Sequence, residues 1–314
     1  MEDIIKFYQP TAVKMLRIWA NFASESPEEF SDAVIRATKK SEGEKISLPY
    51  KIPTTDYEVE IKDEEYLRPA PYCEVDAKEI IGMAVKLGAY DKPPKKYAES
   101  VFNFVKDKIR FGFSPKSIGA LNSFKNGIGG PADKTSLFIA LCRVGGVPAR
   151  YKLTAEIEFE DRLHEFVIGI DGFGEFYKVL KEFFPLHIDG EVRIDEKWIP
   201  ADLTLNSEIE LAMDYPLLQL GMDPTGSWEI GHRGDILYRD SLPFEFWDLY
   251  KEILKAFPGA VKRINDGFAG LTTKGSKILN DAEEREKHER IMKGIKSYDE
   301  LTEELVDMLK LVKK

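Results

Sequence analysis

The sequence predicts an α+β fold, in which a buried helix packs on an antiparallel sheet. Residues 131–144 form a helical segment whose centre, 137–142, is apolar on nearly every side, which is typical of a helix buried all round. Strand-like stretches follow it, at 150–159 and in a hairpin-like pair at 191–194 and 197–201. Helices followed by strands indicate an α+β unit, because a doubly wound sheet would alternate the two.

Residues 1–64 are predicted to be an N-terminal appendage of helices and one strand. A first helix is expected over 9–23. Ser26 and Pro27 indicate the start of a second helix, as N-cap and first helical residue. The alternating stretch 57–61 predicts a half-buried strand.

Residues 65–206 are predicted to be the core of the protein. The proline-containing stretch 66–71 leads into it, and helices are expected at 77–87 and 96–109. The glycine-rich loop 126–130 then precedes the apolar helix. This core is expected to hold the functional site, because it contains the motifs described below.

The second half of the core is predicted to contain a strand at 165–170 and a helical insertion at 173–184.

Residues 207–314 are predicted to be a mostly helical C-terminal extension, with helices at 244–257 and 281–311. The last of these is highly charged, which favours a solvated helix or one that contacts a partner.

Composition excludes several classes of function. The net charge of −10 argues against nucleic acid as a partner, because binding there depends on Lys and Arg that neutralise phosphates. No apolar run approaches the roughly 20 residues of a membrane-spanning helix, so no membrane contact is expected. Two cysteines without a CxxC pair predict a cytoplasmic protein with no structural zinc. No metal and no cofactor are predicted, and the oligomeric state is left open.

The most informative motif runs from Gly127 to Arg150. It combines a glycine-rich loop, an Asp133-Lys134 pair, the apolar helix and a closing Arg-Val-Gly-Gly-Val-Pro-Ala-Arg stretch. This motif resembles the signature of the transglutaminase-like superfamily, which has a papain-type core. The resemblance implies a nucleophilic cysteine at the start of the helix, where backbone N–H groups and the helix dipole stabilise a thiolate.

Proline occupies the position of that cysteine. Counting back from Asp133 and Lys134 places the nucleophile at residue 131, which is Pro131. Proline fits the first helical position without strain, but it has no group that attacks a carbonyl. The sequence therefore predicts a preserved scaffold without the thiol of the family.

Other side chains are weaker candidates for a nucleophile. Cys142 is expected to be buried, about 16 Å further along the same helix. Cys73 precedes a helix and has no basic neighbour in sequence that would lower the pKa of its thiol. Thr135 is expected to bond to the backbone of its own helix.

The resemblance also implies a histidine and an acid on two neighbouring strands. His187 and Asp202 lie fifteen residues apart, and Glu191 and Trp198 stand between them at the family offsets. Two antiparallel strands joined by a short turn can place such residues side by side. His187 is therefore the predicted base, and Asp202 the acid that orients its ring.

His164 is the alternative histidine, since it also heads a strand-like stretch. His187 is favoured because it alone retains the glutamate and the Lys-Trp pair that follow the histidine in the family. A nucleotide site at the glycine loop is disfavoured, because no apolar strand leads into the loop and no βαβ unit follows it.

Together these observations predict a transglutaminase-like protein that lacks catalysis and binds a peptide, an amide or a protein partner in a remnant cleft. The alternative is an active amide or peptide hydrolase that uses His187 and Asp202 with water, or with Cys73. The first interpretation rests on Pro131, and the second on the retained His187 and Asp202.

Overall fold

The computed structural model describes residues 2–41, 46–53, 55–56, 62–180 and 183–294. The helices are α1 (Glu2–Glu25), α2 (Pro27–Thr38), α3 (Lys78–Leu87), α4 (Pro94–Lys108), α5 (Gly119–Asn126), α6 (Pro131–Val144), α7 (Asp161–Ile168), α8 (Gly174–Val179), α9 (Ser207–Ala212), α10 (Phe244–Ala256), α11 (Pro258–Asn280) and α12 (Ala282–Gly294). The strands are β1 (Arg110–Phe111), β2 (Ile128–Gly129), β3 (Ala149–Phe159), β4 (Phe183–Ile194), β5 (Lys197–Ala201), β6 (Glu229–His232) and β7 (Ile236–Arg239). The predicted strand 57–61 and the part of the last predicted helix beyond residue 294 lie outside the described residues.

The main sheet is antiparallel and centred on β3. Its strand order is β5-β4-β3-β6, and β7 pairs with β3 next to β6. The predicted hairpin is confirmed: Ile194 pairs with Lys197, and both turn residues, Asp195 and Glu196, have positive φ angles. Such a turn matches the right-handed twist of two strands. The hairpin thereby brings Asp202, just after β5, next to β4.

Helix α6 lies at the centre of the larger apolar cluster, as the sequence predicts. It spans the predicted residues 131–144, and every residue from Ala132 to Val144 is buried. Gly190 of β4 faces it, because a Cβ there would lie 3.3 Å from the Phe138 ring. The helix therefore packs directly on the middle of the sheet, which positions its first turn beside β4.

A second apolar cluster lies on the side of α9 and α11. Phe268 of α11 packs edge-on against Phe111 of β1, with ring centroids 4.6 Å apart. Trp228, 1% exposed, belongs to the same cluster. Parts of the predicted C-terminal extension therefore help to form the interior around the core.

Two predicted elements are wrong. Residues 165–170 were expected to form a strand, but they lie largely in α7, whose first turn is capped by the Glu160 side chain accepting from the Arg162 N–H. Leu163 and Val167 are buried four residues apart, so the apolar spacing is helical. The helical insertion at 173–184 is also shorter than expected, since α8 ends at Val179 and β4 begins at Phe183.

The predicted C-terminal extension is not helical throughout. Strands β6 and β7 both pair with β3, so residues after 207 complete the main sheet. The domain limits at 65 and 206 stay a prediction. Among the described helices, none has the length and apolar composition that crossing a bilayer requires.

Candidate functional site

Helix α6 begins where a parallel pair of short strands ends. β1 and β2 pair through Arg110 with Ile128 and Phe111 with Gly129. Gly130 is the N-cap residue, and Pro131 is the first residue of the helix. The loop therefore places Pro131 at the first position of α6, where it is half-buried.

The first turn of α6 is stabilised by a carboxylate from the helix itself. Asp133 accepts from the Gly130 N–H at 3.1 Å and from the Gly119 N–H at 2.8 Å. Tyr250 of α10 donates to the same carboxylate at 3.1 Å. Burial raises the pKa of Asp133 to about 7, although its three donors oppose this shift. A carboxyl group of the protein therefore occupies the hydrogen-bond donors next to the helix start.

Aromatic side chains crowd the same helix start. A Cβ on Gly130 would lie 2.6 Å from the Tyr250 hydroxyl and 2.7 Å from the Phe113 ring. Asn265 of α11 holds Phe113 in place, since it accepts from the Phe113 N–H and donates to its carbonyl, each at 2.8 Å. Side chains of helices α10 and α11 therefore cover the start of α6.

His187 and Asp202 meet as the sequence predicts. His187 Nε2 lies 2.6 Å from Asp202 Oδ2, and both residues are 3% exposed. The Thr204 N–H donates to the other carboxylate oxygen of Asp202 at 2.9 Å. Trp228 packs against the His187 ring with centroids 5.1 Å apart. The two side chains are thus a buried, oriented pair.

His187 and Asp202 shift each other's pKa. Burial alone lowers the pKa of His187, but the charge and hydrogen bond of Asp202 outweigh it, and the pKa rises to about 9. Burial favours the neutral form of Asp202, yet His187 and the Thr204 N–H hold the pKa of this carboxyl below its usual value. At neutral pH the pair is therefore imidazolium and carboxylate.

The contact between α6 and β4 runs through neither of these two side chains. Thr135 donates to the carbonyl of Ile188 at 3.3 Å, rather than to its own helix as expected. Gly190 faces α6, and because alternate residues of a strand project to opposite sides, His187 and Asp189 project from the other side of β4. His187 is therefore attached to α6 through the strand backbone.

Sequence reasoning missed several polar residues around His187. Asp189 is 1% exposed and accepts from Lys152 at 3.2 Å, and Glu229 of β6 is 6% exposed beside the same group. Asp189 follows His187 by two positions, so strand alternation alone could have placed it on the same face. Glu229 carries no such signal, because β6 comes from the predicted extension.

Lys134 belongs to the motif that begins at Gly127, but the sequence predicted no role for its side chain. It is fully buried, and its Nζ donates to the Lys106 carbonyl at 3.0 Å. Burial lowers the pKa of Lys134 to about 7. The neighbouring Lys106 forms a buried ion pair with Glu210 at 2.6 Å. This end of α6 therefore holds a second set of buried ionisable groups.

Other residues of the motif hold the sheet together. The Arg150 guanidinium lies 4.0 Å above the Trp198 ring and 4.1 Å from the Tyr238 ring, and it pairs with Glu191 at 2.6 Å. Arg150 and Glu191 are register partners on β3 and β4. Arg150, Glu191 and Trp198 therefore have a structural role in the sheet that requires no catalytic function.

The alternative histidine lies elsewhere in the fold. His164 belongs to α7, and its Nδ1 lies 3.3 Å from the Tyr177 hydroxyl. Its ring packs against Tyr177 with centroids 5.3 Å apart. The structure thus pairs His187, not His164, with the predicted acid.

Both thiols are buried. Cys73 and Cys142 are each 0% exposed. Burial raises the pKa of Cys73 to about 11 and holds that of Cys142 well above its usual value. Cys73 Sγ lies 3.7 Å from the Ser136 carbonyl, a hydrogen-bond contact. Neither side chain has the exposure or the thiolate character of a nucleophile.

Comparison with known proteins identifies the class. Residues 82–203 match the family model of the transglutaminase-like superfamily. These residues contain α6, β3, β4 and β5, the elements that place Pro131 and His187. This part of the chain is therefore a transglutaminase-like domain, and the resemblance noted in the sequence is confirmed.

A solved structure is similar to part of the chain. It is a protein from Cytophaga hutchinsonii described as a "putative cysteine protease", with 18% sequence identity and a TM-score of 0.34. The similarity covers 55% of this chain and 51% of that protein, so the chain spans about half of its length. No curated protein matches the sequence.

Proposed function

We propose that this chain is a catalytically inactive transglutaminase-like protein that binds a peptide or protein partner. The observation that carries the proposal is Pro131 at the first position of α6, where the family chemistry needs a thiol. Proline supplies the helical φ angle without an N–H that would need a partner. The scaffold is kept while the attacking group is lost.

The surroundings of Pro131 support a lack of catalysis. Asp133 and Tyr250 use hydrogen-bonding groups at the helix start, and two aromatic side chains occupy the space that a Cβ on Gly130 would need. Preorganised donors that stabilise a developing oxyanion must be free to face it. Here the described donors, the Gly119 and Gly130 N–H groups, already face a carboxylate of the protein.

A groove near the start of α6 supports a binding role. It encloses about 400 Å³ beside Gly127, in the loop that leads to Pro131. Its lining includes Lys108 and Arg110 together with the acidic residues Asp107 and Glu208. Mixed charge beside an apolar surface suits a peptide, which offers both backbone dipoles and side chains of either sign.

Catalysis is tested with the wild type, Pro131→Cys and the matched variant Pro131→Ser. We expect the wild type and the serine variant to show no amidase, peptidase or amine-transfer activity on casein with a fluorescent amine. We expect iodoacetamide to label only the cysteine variant, because Cys73 and Cys142 are buried. Wild-type turnover that disappears in His187→Ala would contradict the proposal.

Binding is tested with a displayed library of random peptides against the purified full chain. Selected peptides are expected to bind the wild type and to lose at least tenfold in affinity for Lys108→Glu, since Lys108 lines the groove. Lys95→Glu, on the exposed side of α4, serves as the control with the same charge change. Equal losses of affinity in both variants would show that the peptides do not bind in the groove.

The alternative function is hydrolysis by water activated through His187. The 2.6 Å contact with Asp202 favours it, because an acid that orients an imidazole is the usual arrangement for a general base. With the pKa of His187 near 9, only about 1% of the imidazole is neutral at pH 7, far from the optimum for a base. The version that uses Cys73 is disfavoured by the burial of its thiol.

The pH profile separates the two functions. A His187-dependent hydrolase is expected to gain activity up to about pH 9, as the imidazolium loses its proton. An inactive protein shows no turnover at any pH in this interval. Activity that rises with pH and is lost in both His187→Ala and Asp202→Asn would favour the hydrolase.

A further inference from the structure

Three side chains converge on one point at the β4–β5 end of the sheet. His187, Asp189 and Asp202 each offer one ligand atom, and these atoms lie within 4.8 Å of one another. Each of the three residues is at most 3% exposed. His187 and Asp189 project from the same face of β4, and Asp202 follows the neighbouring strand. The group is therefore fixed by the backbone pairing of two strands.

One oxygen in this group has no hydrogen-bond partner among the described residues. Asp189 Oδ2 accepts from Lys152 at 3.2 Å, but the fully buried Oδ1 accepts from nothing. Leaving such an acceptor unsatisfied costs about 1–3 kcal/mol, and more for a charged group. Because one carboxylate oxygen of Asp189 lies within 4.8 Å of ligand atoms of His187 and Asp202, a cation bound between the three residues would contact this carboxyl group.

Acidic side chains outnumber basic ones around the point, where Asp189, Asp202 and Glu229 lie with Lys152 and His187. Burial raises the pKa of Asp189 and of Glu229 to about 7, so these two carboxyl groups are only partly ionised at neutral pH. A buried charge needs a partner of opposite sign. A divalent cation compensates two carboxylates at once, with the imidazole neutral and serving as a ligand.

We propose that His187, Asp189 and Asp202 bind a divalent transition-metal cation, with Zn²⁺ as the representative ion. A donor set of one imidazole and carboxylate oxygens suits zinc-like ions, whereas sites made only of oxygen suit Mg²⁺ or Ca²⁺. Binding replaces the His187–Asp202 hydrogen bond with two metal–ligand bonds, and the imidazolium proton is released to solvent. The sequence predicted no metal, because Asp189 lay outside the family pattern.

This inference goes beyond the proposed function and does not depend on it. A cation held by these residues ties β4 to the segment after β5, whether or not a partner binds near Pro131. It also occupies the imidazole that a hydrolase would need as a base. An experiment can therefore contradict either proposal without contradicting the other, because metal binding is measured without peptide or substrate.

The main test is calorimetric titration of the EDTA-treated full chain with ZnCl₂, and with CaCl₂ for comparison. We expect one Zn²⁺ per chain and much weaker binding of Ca²⁺. Asp189→Asn is expected to weaken Zn²⁺ binding at least tenfold, while it keeps the His187–Asp202 contact. Asp223→Asn, an exposed acid nearby, is the matched control and is expected to bind like the wild type.

Several results would overturn the proposal. These are the absence of saturable Zn²⁺ binding, equal affinity in Asp189→Asn and wild type, or an equal loss in Asp223→Asn. Preference for Ca²⁺ would exclude an imidazole ligand. If Asp189→Asn does not fold, X-ray absorption on the Zn²⁺-loaded wild type decides: one nitrogen with oxygens supports the site, and any sulfur ligand contradicts it.

Discussion

The two ends of the candidate site differ in how their polar groups are satisfied. At the start of α6, Asp133 receives donors from Gly119, Gly130 and Tyr250, and Pro131 adds no polar side chain. At the β4–β5 end, His187 and Asp202 form a buried ionic contact, and Asp189 keeps one oxygen without a partner. At the first end the hydrogen bonds of Asp133 are satisfied by neighbouring groups. At the second end, His187 and Asp202 are buried charges that stabilise each other.

The two ends therefore differ in how well they tolerate substitution. Replacing a thiol by proline at a first helical position leaves no buried group without a partner. Removing one member of a buried ion pair leaves the other charge uncompensated, at a cost of about 3–5 kcal/mol. The retained His187 and Asp202 therefore need no catalytic explanation, because their mutual dependence alone opposes their loss.

The strongest loss of stability is expected when one member of the buried pair is removed. Asp202→Asn is expected to lower the free energy of unfolding by about 3–5 kcal/mol, because His187 loses its buried counter-charge. The double variant His187→Leu/Asp202→Leu is expected to lose less. Urea denaturation provides both values, with exposed Asp223→Asn as the control. A double variant that is less stable than Asp202→Asn would contradict the view that the cost comes from an uncompensated buried charge.

The next effect concerns Lys134, near the start of α6. Its pKa of about 7 in the folded protein lies below the unfolded value, so above pH 7 the unfolded chain holds a proton that the folded chain lacks. Stability then rises with pH, by at most about 1.4 kcal/mol per unit. From pH 7 to 9 we expect the wild type to gain about 2–3 kcal/mol relative to Lys134→Met.

Urea midpoints at several pH values measure this gain. Lys95→Met removes an exposed lysine of α4 and is expected to follow the wild-type curve. If the wild type and Lys134→Met run parallel over this interval, the folded protein keeps Lys134 protonated and the assigned pKa direction is wrong.

A smaller effect tests the closure of the helix start. Gly130→Ala places a methyl group against Tyr250 and Phe113, and such overpacking costs about 1–3 kcal/mol. Gly231→Ala is the control, since nothing lies within 4 Å of its added Cβ. Thermal unfolding of both variants measures the difference. Equal stability of the two would show that the helix start has room for a ligand.

The smallest expected effect comes from one hydrogen bond. Tyr250→Phe removes the donor to Asp133, and we expect a loss of about 1 kcal/mol in the free energy of unfolding. The same change is expected to relieve part of the cost of Gly130→Ala, because the hydroxyl is the closer of the two contacts. Additive losses in the double variant would contradict this.

Much of the fold and part of the site could be predicted from local sequence. The bounds of α6 follow from the glycines on either side of an apolar run, and the β4–β5 hairpin from its alternation and turn. The pairing of His187 with Asp202 followed from the family spacing across that hairpin. The prediction failed at 165–170, where β-branched and aromatic residues resemble a strand, but the Glu160 cap and a four-residue apolar spacing favour a helix.

That residue 131 is a proline, which has no nucleophilic side chain, follows from the amino-acid sequence before any folding. What surrounds that position depends on tertiary structure, because Tyr250 of α10 donates to Asp133 and Asn265 of α11 holds Phe113 beside Gly130. The same holds for Glu229, which meets His187 only after β6 pairs with β3. Local patterns encode helices and strands, whereas burial and its effect on charge depend on contacts between distant segments.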